Sequence, residues 1–191
     1  MGEVSMNQAR NWLDIVLILF TAFLVVFWEA AFQGVRHLLG AQIDLLPGLM
    51  VYASLNAGLT AVFLLAVCGG LCLDSLSANP LGVSVLPLLL VGVAIFANRD
   101  LILREQTFAQ LLIGLVASSV VPILTLLLLL TTSWQPLVGW GTLWQLLVMS
   151  VGGALATPVC FEVFGWLHRT LGHVRAHELT FRSDREIRRG R

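Results

Sequence analysis

Lysine is absent from this chain of 191 residues, tyrosine occurs once, and charged side chains make up only 12% of it. A soluble domain carries about 25% charged residues, so this shortage leaves no room for a water-soluble catalytic domain. The three cysteines, Cys68, Cys72 and Cys160, all fall in apolar stretches. Their odd number gives no disulfide framework, and they read as small packing residues. Cys68 and Cys72 have no histidine nearby to complete a metal site, and His173 and His177 lack the glutamate that a zinc-protease pattern places after the first histidine. There is no glycine-rich phosphate loop, no nucleophile elbow and no pair of intramembrane aspartates. Neither an enzyme nor a cofactor is expected.

What the chain has is apolar surface. Hydrophobic residues make up 58% of it, and the mean hydropathy is +0.88. This composition predicts an all-α integral membrane protein folded as one bundle. The start, "MGEVSMNQARNW", has neither a strongly basic opening nor a cleavage site, and it misses the myristoylation pattern, so an uncleaved first span is expected.

Six segments are long and apolar enough to be read as spans: Trp12–Phe32, Leu45–Ala57, Gly58–Leu73, Leu81–Asn98, Thr107–Thr131 and Leu143–Leu167. Leu45–Leu73 as one helix would run about 44 Å, too long for a single crossing without a large tilt, so two helices with a tight turn at Asn56–Gly58 are expected. With the N-terminus inside, Arg10, Arg99, Arg104 and the seven arginines from Arg169 to Arg191 are all cytoplasmic, and only Arg36 falls outside. The outer loop "SWQPLVGWGTLW" has no charge and carries Trp134, Trp140 and Trp144, as an aromatic belt would. Residues 168–191 form an arginine-rich cytoplasmic tail, in which seven arginines oppose Glu178, Asp184 and Glu186. That excess favours anionic lipids, and a helical stripe of Leu167, Leu171 and Val174 extends the last helix past the bilayer.

Each ionisable side chain within a span must lie near an end, pair, or face the interior. Asp14 and Glu29, near opposite ends of the first span, are expected to reach the interfaces. Glu162 is expected to bend toward His168 or Arg169, with Arg99 as an alternative partner. Asp100 and Arg104 have the spacing of a helical ion pair in "NRDLILREQ". Ala53 with Ala57, Ala66 with Gly70, Gly114 with Ser118 and Gly152 with Ala156 mark faces of close helix approach. Pro87, Pro122 and Pro158 each predict a lost backbone hydrogen bond within a span.

The stretch "GGLCLDSLSANPLG", residues Gly69 to Gly82, places Asp74 among turn formers between two apolar runs. Physically it reads as a structured re-entry loop in which Asp74 accepts backbone N–H bonds from Ser75 to Ala78. The run of Gly70, Leu71, Asp74, Ser75, Leu76, Ser77, Pro80, Leu81 and Gly82 resembles the MreD family of rod shape-determining proteins. The proline entry to the second span, "QIDLLPGLMVY", and the Arg- and Gln-containing link after the fourth agree in outline, whereas the long tail and short second span depart from it.

The resemblance implies a non-enzymatic component of the bacterial elongation machinery in the inner membrane. It implies binding to the bitopic protein MreC, and work beside the MreB filament, the RodA glycosyltransferase and its penicillin-binding transpeptidase. It also implies a six-helix transmembrane fold similar to the substrate-binding subunits of energy-coupling-factor vitamin transporters. Partner contacts are expected on the inner loop, at Arg99, Asp100, Arg104 and Glu105, and on the tail, at Arg182, Arg185, Arg188 and Arg189. The alternative function is vitamin uptake, which would draw on Asp74, Asn79, Trp134, Gln135 and Trp140 at the outer face.

Overall fold

The structure, a computed structural model, describes residues 2–31, 40, 43–77, 80–101, 106–131 and 139–183, with side chains from residue 12 onward except 101, 168 and 170–183. The described residues form six α-helices and no strands: α1 (Gly2–Ala31), α2 (Leu46–Asn56), α3 (Leu59–Leu76), α4 (Val85–Ala97), α5 (Thr107–Thr131) and α6 (Trp140–Ser183). A single 3-10 turn, Arg99–Leu101, follows α4. The chain divides into two compact units, Met1–Pro158 and Val159–Arg191.

Four segments are long and apolar enough to cross a membrane: Trp12–Ala31, Leu59–Leu76, Thr107–Thr131 and Trp140–Leu167. The chain is therefore an all-α, multi-pass membrane protein. Two of the six expected spans are shorter than a bilayer. At 1.5 Å per residue, the 11 residues of α2 and the 13 of α4 reach only about 16 and 20 Å, against roughly 30 Å of hydrocarbon. Such helices persist in a membrane protein where neighbours shelter their ends.

In the first unit, α2 occupies the centre. Every residue from Leu46 to Leu55 is buried, with no polar side facing outward. Ala57 and Gly58 are both extended, which ends α2 and starts α3 within two residues. The Leu46 side chain comes within 3.1 Å of where a Cβ on Gly69 would lie, so α2 and α3 run antiparallel from that turn. A Cβ on Gly92 of α4 would come within 2.7 Å of both Met50 Sδ and Val62 Cγ1, so α4 crosses both arms of the hairpin. On another side, Gly48 of α2 faces Thr157 of α6.

The helices α5 and α6 approach through small residues. A Cβ on Gly114 would overlap the Thr157 side chain, and one on Gly153 would overlap Ser118. The Ser119 hydroxyl adds a bond to Ser150 Oγ at 2.9 Å. Gly114 with Ser118 thus forms a real approach face, opposite Gly153 and Thr157. Gly152, expected to pair with Ala156 on such a face, instead sits over Ile43.

The lost backbone hydrogen bond expected at Pro87 does not arise, for a simple reason. The helix α4 begins at Val85, so Pro87 lies in its first turn, where a backbone N–H has no helical acceptor to lose. Pro122 and Pro158 are inside α5 and α6, and both helices continue through them.

Candidate functional site

Two carboxylate clamps, one buried and one half-buried and both on backbone amides, organise the first unit. The first centres on Asp74. Its position follows from helical spacing: Ala66, Gly70 and Asp74 are four residues apart on α3, and all are buried. Asp74 is 1% exposed, and its Oδ2 accepts the N–H of Gly82 at 2.8 Å and of Ser84 at 3.1 Å. These are not the amides expected from the sequence. Asp74 lies in the last turn of α3, where the amides that follow it stay helical; the Ser77 N–H donates to the Leu73 carbonyl at 3.0 Å. The carboxylate therefore reaches across to the next segment and holds Leu81–Ser84 as a turn, so α4 starts at Val85 rather than at Leu81.

Glycine is required twice in this joint. Gly82 has φ +93°, a left-handed conformation that a side chain would strain. A Cβ on Gly70 would lie 2.9 Å from the Val85 Cα, so no larger residue lets α4 begin this close to α3. The family-like residues thus divide by role. Gly70, Asp74 and Gly82 build the joint, Pro80 is half-buried beside it, and Leu71 and Leu81 are exposed on its outside.

The second clamp was not legible in the sequence. Glu29 continues the buried face of α1 formed by Ile18, Ala22 and Val26, so it points inward and not to the membrane interface as expected. Its Oε1 accepts the N–H of Leu45 at 2.6 Å, while Oδ1 of the buried Asp44 accepts the N–H of Leu46 at 3.0 Å. Pro47, next along, has no N–H to satisfy. The start of the sheltered helix α2 is thereby capped by two carboxylates, where the positive end of the helix dipole favours them.

This cap is deep in the bundle. The Asp44 carbonyl lies beside Gly153, near the midpoint of Trp140–Leu167, and Gly153 faces Ser118, near the midpoint of α5.

On the link after α4, the Arg99 guanidinium stacks on the Phe96 ring at 4.4 Å and its Nε lies 3.8 Å from Asp100 Oδ1. Asp100 is 88% exposed there, so the pair is a surface one. The other expected contacts, Arg104, Glu105, Arg185, Arg188 and Arg189, lie outside the described residues, as do Asn79, Trp134 and Gln135. Arg182 falls on the helical backbone of α6, and Trp140 is 84% exposed at its start.

Chemically, both clamps bind the chain to itself. The carboxylates accept from amides, and among the described residues no group of three histidine, cysteine or acidic side chains could hold a metal ion. Cys68 is exposed and is not a core packing residue, whereas Cys72 and Cys160 are half-buried; all three are free thiols. The fold and this site define a multi-pass helical membrane protein whose polar groups fix helix ends. No family model, curated protein or solved structure matches the chain.

Proposed function

We propose that this chain is a non-enzymatic scaffold of the bacterial inner membrane that acts as MreD-family proteins do. It holds an MreC-like bitopic protein, together with the RodA glycosyltransferase and its transpeptidase partner, and so supports peptidoglycan synthesis and cell shape. The MreB filament is coupled indirectly. Both termini are cytoplasmic, and the arginine-rich tail lies against anionic lipid.

The observation that carries this reading is the joint itself. The residues that give the sequence its resemblance do structural work on one another: Asp74 restrains Gly82 and Ser84, and Gly70 admits Val85. A motif whose one acidic side chain is buried and restrains the backbone of the next helix suits a protein that works through its shape and surface. The rival vitamin-uptake function needs Asp74 as a solute contact, and a side chain only 1% exposed suits that role poorly.

The test is mass spectrometry of proteins co-purifying with the tagged, full-length chain from native membranes in mild detergent. Recovery of an MreC-like protein with wall-synthesis enzymes is the expected outcome. Recovery of a transporter ATPase pair would overturn it in favour of solute uptake.

A further inference from the structure

Ionisable side chains in membrane helices ordinarily face the protein interior or a partner, because hydrocarbon solvates a carboxyl poorly. Asp74 and Glu29 follow this rule, each on the buried face of its helix. Glu162 does not. It lies within the apolar segment Trp140–Leu167 and is exposed, together with Val159, Val163 and Trp166.

Positions 159, 162, 163 and 166 have the spacing of a single helix face, so the carboxylate stands inside an apolar stripe of the second unit. Glu162 makes no hydrogen bond or ion pair among the described residues. The basic side chain nearest in sequence with a described position, Arg169, turns back along its own helix, where Nε donates to the Gly165 carbonyl at 3.1 Å.

We infer that the α6 face formed by Val159, Glu162, Val163 and Trp166 docks a membrane helix of another protein, one that carries an arginine or lysine at the depth of Glu162. Charge complementarity selects the occupant. Lipid offers an apolar stripe no partner for a carboxylate, whereas a basic side chain on a packed helix supplies one and is itself neutralised. The valines, short and stiff, let a second backbone approach on either side of the charge. A second copy of this chain fits poorly, because its described basic side chains, Arg99 and Arg169, lie beyond the ends of the apolar segments. The inference deepens the scaffold function and rests on it for the expectation that partners bind within the membrane.

The test places a photo-crosslinking amino acid at Val163 of the full-length chain in its native membranes, with the exposed Phe20 of α1 as a lipid-facing control. Adducts at Val163 are expected to map to a membrane-spanning segment of another protein, with an arginine or lysine within one turn. Glu162→Gln should lower the adduct yield by roughly threefold or more, the range of an interhelical polar contact in a membrane, without lowering the amount of protein in the membrane. Glu162→Arg should restore the yield when the partner's basic residue is changed to glutamate.

Adducts no richer than at Phe20, adducts to a second copy, a crosslinked segment without a basic residue, or a yield indifferent to Glu162→Gln would each overturn the inference. If the adducts meet every criterion but belong to a protein outside wall synthesis, the docking surface stands and the scaffold function falls. If an MreC-like protein still co-purifies while the yield ignores Glu162→Gln, the scaffold function stands and the surface falls.

Discussion

The clamp at Asp74 and the clamp at Glu29 solve the same problem at different sequence distances. Asp74 takes amides eight and ten residues away, across one turn. Glu29 takes an amide sixteen residues away, at the start of a different helix. Both carboxylates offset the cost of backbone N–H groups buried away from water. The near clamp sets where one helix begins, whereas the far clamp secures the N-terminus of the helix around which the unit packs.

The largest effect should come from the ground on which the far clamp stands. Gly153→Val puts a side chain into the space of Ser118 beside Asp44, and overpacking of this kind costs about 1–3 kcal/mol or more. Loss of folded protein from the membrane fraction is the expected result. Asp74→Ala should follow, because it strands the buried amide of Ser84 at about 1–3 kcal/mol and the half-buried amide of Gly82 at less, read as a lower unfolding midpoint in detergent.

Glu29→Ala strands one amide and should cost about 1–3 kcal/mol, less than Asp74→Ala in the same assay. Equal losses would break the comparison, since they would mean that the number of amides held does not matter. Asp74→Asn and Glu29→Gln keep an acceptor oxygen and should each recover most of the loss of the alanine variant. Smallest of all, Arg99→Ala removes a surface ion pair and a ring contact, and should shift the midpoint by no more than about 1 kcal/mol.

The two clamps also differ in how far the sequence reveals them. Around Asp74, polar and turn-forming residues interrupt two apolar runs, so the joint is visible as a change in composition. Its acceptor geometry is not, because the amides nearest in sequence stay in the last turn of α3 and the carboxylate must look further on. Glu29 offers no comparable signal. It does fall on the face of Ile18, Ala22 and Val26, but α1 also exposes Phe20, Phe23 and Phe27, so its apolar residues mark no buried side.

The same blindness hides the role of α2. Hydropathy scores a segment alike whether lipid or protein surrounds it, so a run at Leu45–Ala57 reads as a short span. Its small and polar members, Gly48, Ala53 and Ser54, acquire meaning only when α3, α4, α5 and α6 are seen to enclose it. The antiparallel break at Asn56–Gly58, by contrast, follows from length alone, since the combined run exceeds one bilayer crossing.

Amide hydrogen exchange on the full-length protein in lipid nanodiscs tests the paired clamps most directly. Asp74→Ala should speed exchange at Gly82 and Ser84 and leave Leu45 protected, while Glu29→Ala should expose Leu45 and leave Gly82 and Ser84 slow. Unchanged exchange at a variant's own amides, or loosening of both sites by either substitution, would contradict the account of two independent carboxylate clamps.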